Sequence, residues 1–328
     1  MERRALGRTG LTISAVGFGA APLGDIWAAV DERDATAAVH AAIDAGIDYF
    51  DVAPLYGFGL AEQRLGAALR GKRDRVVLAT KCCRDGFHEF DFSGSRVAAS
   101  VEESLRRLDT DRIDVLQIHD VEFGTMQQVL DEAIPAARRL QQQGKVRFVG
   151  ISGLPVRYLR KLAERADIDT LLSWGHLNLV EDELVEELVP VARERGFALL
   201  SASPLLQGLL SDQGPPAWHR SPKPVIDGAK LLAAACRRHG TDLATVAIAH
   251  AVQCPHVATT LVGMKSRAEV ESNVRAAATP IAPALAAELA AIAAPFLNMM
   301  WFEGRPENNL PPRDPNRHVP QTPDVSHS

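Results

Sequence analysis

The chain has 328 residues, of which 46% are hydrophobic, with 36 Lys and Arg against 41 Asp and Glu. A formal net charge of -5 without a basic stripe argues against nucleic acid as a partner. The N-terminus lacks the apolar core of a signal peptide, and no uncharged apolar run reaches the roughly 18 residues that span a bilayer. The four cysteines form no CxxC pair. These features predict a reduced, cytoplasmic protein that does not enter a membrane.

Eight short apolar runs alternate with stretches of helical periodicity along the chain. The runs cover 15–19, 47–51, 76–81, 113–119, 146–151, 170–173, 197–201 and 258–262. The helical stretches cover 31–45, 60–70, 94–108, 126–143, 155–165, 181–195, about 228–239, 241–252 and 267–277. The alternation predicts a (β/α)8 TIM barrel in one domain over residues 1–303. The alternative, an open doubly wound sheet, is weakened because no GxGxxG motif follows the first run.

Three further segments lie outside the eight units. Residues 2–14 are predicted to form a β-hairpin that covers the bottom of the barrel. A last helix is predicted over 284–298, and Met299 to Phe302 follow it. Residues 304–328 are rich in Pro, Asn and charged residues and have little to bury. They are predicted to be a loosely ordered C-terminal tail.

Four polar residues stand at the ends of these runs. Asp51, Lys81 and His119 each end a run, and Tyr56 follows Asp51 by five residues. In a parallel barrel the C-terminal strand ends open onto one face, where active sites lie. Each residue alone is more often structural, but together they predict a proton-transfer site. A metal site is disfavoured, because His119 beside Asp120 is too small a ligand set.

Short motifs around these residues occur in a characteristic order. They are Gly17-Phe18-Gly19, Phe50-Asp51, Tyr56-Gly57, Thr80-Lys81, Gln117-Ile118-His119-Asp120 and Ser203-Pro204-Leu205. This set resembles the aldo-keto reductases over about residues 2–298. Within that superfamily the chain is most similar to the branch of L-galactose dehydrogenases and L-fucose (D-threo-aldose) 1-dehydrogenases. The resemblance rests on further stretches, including His119 to Gly124, Gly150 to Pro155 and Gly214 to His219.

The resemblance implies oxidation of the anomeric carbon of a free aldose to its lactone, with hydride transfer to a nicotinamide. Tyr56 is then the general base, and an adjacent Lys81 ammonium is expected to lower the phenol pKa by about one to three units. Asp51 would position Lys81 and keep it charged, and His119 would orient the reacting oxygen. Two alternatives remain. One is an enzyme acting on another small aldehyde such as pyridoxal, and the other is a cofactor-binding regulatory subunit without turnover.

The resemblance also implies where the cofactor lies. The adenosine end is expected at the start of the helix after the eighth run, where backbone N–H groups suit a phosphate. NADP-dependent relatives carry an Arg four residues before the Asn that matches Asn273, and here that position is Glu269. A carboxylate repels a 2′-phosphate and can accept a hydrogen bond from a ribose hydroxyl, which predicts NAD, with NADP as the alternative.

The remaining expectations concern individual contacts. Predicted cofactor residues are Gly19, Ser152, Asn178, Ser201, Ser203, Pro204, Leu205, Gly208, Gly263, Met264, Lys265, Ser266, Glu269 and Asn273. Predicted substrate residues, an aromatic and hydrogen-bonding set that suits a sugar ring, are Phe18, Asp120, Trp174, His176 and Trp218. The partner is expected to be a small sugar or aldehyde, and the protein a monomer or weak homo-oligomer.

Overall fold

Ten β-strands occur in residues 1–310, the part of the chain that the computed structural model describes. An antiparallel hairpin is formed by β1 (Arg3–Ala5) and β2 (Thr12–Ser14). The others are β3 (Val16–Gly19), β4 (Tyr49–Asp51), β5 (Val77–Cys82), β6 (Ile113–Ile118), β7 (Val146–Gly153), β8 (Thr170–Trp174), β9 (Ala198–Ala202) and β10 (Thr259–Gly263). They pair in parallel from β3 to β10, and β10 pairs with β3 to close the barrel. The predicted (β/α)8 barrel with an N-terminal hairpin is confirmed.

Helices surround this barrel. They are α1 (Glu32–Asp44), α2 (Leu60–Ala68), α3 (Gly94–Leu108), α4 (Met126–Gln128), α5 (Ile134–Gln142), α6 (Val156–Ala163), α7 (Glu183–Arg195), α8 (Lys223–Arg238), α9 (Leu243–Val252), α10 (Arg267–Ala278) and α11 (Pro283–Ala293). A π-helical turn, Val129–Ala133, joins α4 to α5, so the predicted helix over 126–143 is one element with a bulge. Within residues 1–310 no single helix meets the length and apolarity of a membrane span; α10 and α11 meet them only as a pair bent by 100°.

Two helices differ most from prediction at their ends. The helix α8 begins at Lys223 instead of about 228, because Pro224 lies in its first turn, where the missing N–H is not needed. Gly228 lies inside this helix because it contacts the Phe296 ring; a Cβ there would lie 2.1 Å from Phe296 Cζ. The last helix ends at Ala293, and a 3-10 turn, Ala294–Phe296, replaces the end of the predicted helix.

The lower end of the barrel is filled by apolar side chains. One cluster contains Leu6 and Ile13 from the hairpin together with Tyr49, Val115 and Leu200 from the strands. Leu6 is fully buried beneath the barrel strands. The hairpin therefore closes this end, as predicted, and leaves the opposite end for loops.

The segment after α11 crosses the upper end of the barrel. A short 3-10 turn, Pro306–Asn308, packs against the loop that follows β6. Asn308 Nδ2 donates hydrogen bonds to the carbonyls of Glu122 (2.7 Å) and Gly124 (2.9 Å). The predicted loose tail begins at residue 304, but its residues 311–328 lie outside the described part of the chain. The boundary of the domain at 303 stays a prediction.

Candidate active site

Strand alternation directs the four predicted residues into the barrel. Tyr49 and Ala79 belong to the interior cluster, and Asp51 and Lys81 follow them by two residues on β4 and β5. Successive side chains of a strand point to opposite faces, so both charged groups lie on the inner face, one layer nearer the mouth. His119 directly follows β6, and its backbone N–H bonds to the carbonyl of Cys82 at the end of β5.

The Lys81 ammonium connects this group. Its Nζ donates to Asp51 Oδ1, to the Val52 carbonyl (2.9 Å) and to the Tyr56 hydroxyl (3.3 Å). The side chains of Lys81 and Asp51 are 2% and 4% exposed. The structure thus brings carboxylate, ammonium and phenol into one buried chain of contacts, in the order that the sequence predicts.

Gln117 belongs to the site although its role was not predicted. It pairs with Lys81 across the β5–β6 register, and its Nε2 donates to Asp51 Oδ2 (2.7 Å). Its Oε1 is buried without a hydrogen-bond partner among the described residues. The signal was present in the sequence, because Gln117 precedes His119 by two residues and therefore shares its face of the strand.

Two glycines fix the loop that carries Tyr56. Gly57 has a φ of +63°, and a Cβ there would lie 2.3 Å from the Gly24 carbonyl oxygen. A Cβ on Gly24 would lie 2.5 Å from the Tyr56 carbonyl carbon. The loop after β3 and the Tyr56 loop therefore touch backbone to backbone, which only glycine at both positions permits.

Burial and neighbouring charges shift the pKa values of Lys81 and Tyr56. Burial lowers the pKa of Lys81, but the Asp51 carboxylate and Tyr56 outweigh it, so the pKa is raised and the ammonium persists. Burial raises the pKa of the Tyr56 phenol, and Lys81 lowers it by a smaller amount. The lysine acts in the predicted direction, but the predicted net lowering is wrong for this geometry, because desolvation is the larger effect.

His119 is neutral at physiological pH. Burial lowers its pKa to about 3, although the Asp120 carboxylate opposes the shift. The His119 ring lies edge-on to the Tyr56 ring, with centroids 6.1 Å apart. Its Nε2 is 3.5 Å from Asp120 Oδ2, and its Nδ1 has no partner among the described residues. A neutral imidazole beside the phenol can exchange a hydrogen bond with a substrate oxygen.

Asp120 is held by a cation that sequence reasoning missed. Arg84 forms an ion pair with Asp120, and its guanidinium lies 5.0 and 5.2 Å from the ring centroids of Phe90 and Phe123. Burial raises the pKa of Asp120, but His119 and Arg84 outweigh it, so the pKa is lowered. Asp120 therefore stays charged at the mouth, next to His119, where a substrate hydroxyl could reach it.

Phe18 is not a pocket residue, and its prediction is wrong. The side chain is fully buried in the core between barrel and helices, where it stacks on Phe50 with ring centroids 5.0 Å apart. Gly17 and Gly19 take the inward positions of β3. A Cβ on Gly17 would lie 2.5 Å from Leu261 Cδ2, and one on Gly19 would lie 3.1 Å from the Val262 carbonyl.

The predicted tryptophans lie on one side of the mouth. Trp174, at the end of β8, is 6.0 Å from Trp301 between ring centroids, and Trp301 contacts His219 edge-on at 5.5 Å. Trp218 stacks on His219 and is 50% exposed. Trp301 thus joins the C-terminal loop to Trp174 directly and to Trp218 through His219. His176, the fifth predicted substrate residue, is buried and faces acidic side chains of its own loop and of α7.

The start of α10 is closed by its own side chains. Ser266 caps the helix by accepting the Glu269 N–H (3.2 Å), and Glu269 Oε2 accepts the Lys265 N–H (2.8 Å). Asn273 Nδ2 approaches the Gly263 carbonyl at 3.5 Å. The Met264 side chain is fully buried in the core, so only its backbone is available to a cofactor.

Three other predicted cofactor residues lie in different surroundings. Ser152 lies on β7 near the mouth, and its buried hydroxyl has no partner among the described residues, which suits a cofactor amide. Ser201 follows the outward-facing Leu199 by two residues and so faces the helices, which argues against contact with a cofactor. The Asn178 amide bonds to Gly175 O (2.7 Å) and Val180 N (2.9 Å), which favours a structural role.

The loop after β9 supplies the remaining candidates. Ser203 has a φ of +62° and Gly208 a φ of +95°, while Pro204 is buried and Leu205 packs against two core clusters. The loop is therefore sharply turned and anchored beside the mouth. The unpartnered hydroxyl of Ser152 and the backbone of this turned loop are polar groups of the kind that hold a nicotinamide cofactor.

Comparisons with known proteins give one family. Residues 15–294 match the model of the Aldo/keto reductase family. An L-galactose dehydrogenase of Arabidopsis thaliana is 40% identical and covers 94% of this chain and 99% of its own length. A D-threo-aldose 1-dehydrogenase of Pseudomonas sp is 34% identical over 87% of this chain and 96% of its own length. A pyridoxal 4-dehydrogenase of Microbacterium luteolum is 31% identical over 83% and 92%.

The fold comparison agrees with the sequence comparison. The holo form of an aldo-keto reductase from Bacillus halodurans superposes with a TM-score of 0.77 and 30% identity, covering 94% of this chain and all of that one. A glycerol dehydrogenase from Gluconobacter oxydans, at 24% identity and a TM-score of 0.73, shares the fold.

Proposed function

Because the chain belongs to the aldo/keto reductase family, we propose that it is a nicotinamide-dependent dehydrogenase that oxidises the anomeric carbon of a free aldose to its lactone. The observation that carries the proposal is the buried contact of Tyr56 with Lys81, which is itself paired with Asp51. The 40% and 34% identities to two sugar dehydrogenases support a sugar as the substrate.

The chemistry needs a base for one proton. Oxidation removes a proton from the anomeric hydroxyl and a hydride from its carbon, and a nicotinamide supplies the acceptor for the hydride when bound. Tyr56 takes the proton, and the Lys81 ammonium stabilises the phenolate that takes part. Asp51 and Gln117 hold that ammonium in place, and neutral His119 hydrogen-bonds the reacting oxygen.

Cofactor choice follows from the start of α10. A 2′-phosphate placed there would meet the Glu269 carboxylate, which already accepts the Lys265 backbone N–H. The negative charge of Glu269 repels a 2′-phosphate, and the Lys265 N–H, which is already bonded to Glu269, is not free to bind one. A ribose hydroxyl, in contrast, can donate a hydrogen bond to the same carboxylate. We therefore propose NAD as the preferred cofactor, with Ser152, the loop 203–208 and Asn273 as its further contacts.

The test is a substrate panel with both cofactors. L-galactose, L-fucose and pyridoxal are each incubated with NAD or NADP, reduced cofactor is followed by absorbance, and the product is identified by mass spectrometry. The proposal expects lactone from at least one sugar, with NAD preferred. Turnover of pyridoxal alone would mean that the substrate is a small aldehyde and not a sugar. The 31% identity to a pyridoxal 4-dehydrogenase supports this alternative. Cofactor binding without any turnover would instead support a regulatory subunit.

A further inference from the structure

A second cluster of ligand-type side chains lies across the barrel from Tyr56. His176 follows β8, which stands opposite β4 in the eight-stranded order, and Glu181 and Glu183 lie at the approach to α7 and in its first turn. The three side chains are 4%, 2% and 10% exposed. One ligand atom from each lies within 4.8 Å of the others. The cluster is not part of the proton-transfer site.

The imidazole in this cluster lacks ordinary hydrogen bonds. Neither ring nitrogen of His176 has a partner of normal geometry among the described residues, although the Leu154 backbone lies near the ring. Its Nδ1 faces Glu181 Oε2 at 3.5 Å and Glu183 Oε2 at 3.9 Å. Both distances exceed those of an N–H···O hydrogen bond. A buried polar group left in this way is costly unless something else satisfies it.

The distances from the His176 imidazole to the two carboxylates suit ligands of one metal ion. A tetrahedral Zn²⁺ with ligands at about 2.0–2.2 Å places neighbouring ligand atoms about 3.3–3.6 Å apart. The distance of 3.5 Å falls in that range, and the distance of 3.9 Å needs an inward movement of a few tenths of an ångström by the Glu183 side chain. One imidazole and two carboxylates are ligands that ions of this class accept.

The surroundings support these ligands. Arg157 binds Glu183 through Oε1, which leaves Oε2 directed at His176. Outer hydrogen bonds of this kind orient ligating carboxylates in metal sites. Asn178 and Glu181 are bridged across their loop, and a cavity lined by His176, Glu183 and Arg157 reaches the cluster. The loop is thus shaped in advance, and the cavity gives an ion and a water molecule a route in.

We propose that His176, Glu181 and Glu183 bind one divalent transition-metal ion of the Zn²⁺ class, with water completing the coordination. The ion ties the loop after β8 to the start of α7 and takes no part in the reaction at Tyr56. The sequence argument against a metal considered only His119 with Asp120. The second cluster was not visible there, because which way His176 faces depends on the fold of its loop.

Metal binding is measured on untagged wild-type protein after treatment with a chelator. Zn²⁺ is titrated by calorimetry, and bound zinc is counted by mass spectrometry after dialysis. We expect one ion per chain. His176→Gln and Glu181→Gln should each lower affinity by about a hundredfold or more, while Glu186→Gln, an exposed control on the same helix, should retain it. Unchanged affinity in both ligand variants would overturn the proposal.

A second measurement covers variants that fold poorly. Wild-type crystals grown with Zn²⁺ should give an anomalous peak bounded by the three side chains. Absence of stoichiometric zinc, or a peak elsewhere, would overturn the proposal.

Discussion

The two ends of the barrel are built from the same strands but have different roles, since one end is packed with apolar side chains and the other holds the polar site. On β4, Tyr49 packs in the apolar interior while Asp51, two residues later, is an ion-pair partner. On β6, Val115 belongs to the same interior cluster while Gln117 bonds to Asp51. Because every second residue of a strand faces inward, the same strand contributes an apolar side chain to the bottom of the barrel and a polar one to the top.

The comparison shows how charges are tolerated inside the upper end of the barrel. Burying a lone ion is very costly, but the Lys81 ammonium has a carboxylate, a carbonyl and a phenol as partners. Below it, Leu6 packs in a mainly apolar cluster that also contains the buried Tyr49 hydroxyl. Substitution of Tyr56, which leaves the pair of Lys81 and Asp51 in place, should therefore change chemistry with little loss of stability, and substitutions at the bottom should do the reverse.

The largest expected effect is at the top. Tyr56→Phe removes the proton acceptor and keeps the ring, so kcat for sugar oxidation should fall about 10²- to 10⁴-fold. Cofactor affinity and the free energy of unfolding should change little. Steady-state kinetics and equilibrium cofactor binding measure both quantities. Tyr158→Phe is the matched control, because it removes a buried tyrosine hydroxyl that lies on α6 and has no partner among the described residues. Equal activity loss in both variants would contradict the assignment.

The next effect is at the bottom. Leu6→Ala should lower the free energy of unfolding by about 2–5 kcal/mol, because the side chain is fully buried beneath the barrel. Urea denaturation measures this change, and kcat of the folded protein should remain at the wild-type value. Leu231→Ala, at a position 59% exposed on α8, is the control and should stay within about 0.5 kcal/mol of wild type. A large loss of kcat in Leu6→Ala would show that the two ends are coupled.

A smaller effect concerns pH. Oxidation requires deprotonated Tyr56, whose pKa is raised, so the oxidation rate should increase about tenfold per pH unit from neutrality towards that pKa. Reduction requires the protonated phenol, so its rate should stay level over this range and decrease only when the pH approaches that pKa. His119, with a pKa of about 3, should add no titration near neutral pH. Single-turnover rates in both directions test this, and a limb near pH 6.5 would instead indicate a titrating histidine.

The smallest effect concerns the cofactor. Glu269→Arg replaces a repelling charge with an attracting one and should shift the kcat/KM ratio of NADP to NAD upward by about tenfold, as expected for roughly 1.4 kcal/mol. Glu269→Gln removes the charge but keeps an acceptor for the Lys265 N–H, so it should give a smaller shift. Glu271→Arg, exposed on the same helix, should leave the ratio unchanged. An unchanged ratio of kcat/KM values in Glu269→Arg would show that Glu269 does not contact the ribose.

Most of the fold could be predicted because strand and helix periodicities alternate eight times. The errors have specific causes: Pro224 and Gly228 look like helix breakers, yet the first occupies the first turn and the second accommodates the Phe296 ring. Such a contact depends on a side chain about seventy residues away in sequence, which no local pattern contains. The π-helical turn before α5 was likewise hidden within continuous helical periodicity.

The site was predictable where strand ends define it and less so elsewhere. Asp51, Lys81 and His119 follow apolar runs, so their place at the mouth depended only on the barrel. Phe18 was misplaced because parallel strands are buried on both faces, and the run alone does not say which face is inward. Arg84 was missed because its role depends on a partner from another strand end.

The contact of Gly24 with Gly57 has a consequence for anyone who wishes to redesign this protein. With no space for even a methyl group at either position, the segment bearing the phenol cannot be reshaped by ordinary substitution. Libraries aimed at new substrates should leave that rim untouched and vary the opposite one, around Trp174 and Trp301. Activity, which depends on the rim that carries Tyr56, and selectivity, which depends on the opposite rim, can then be optimised separately.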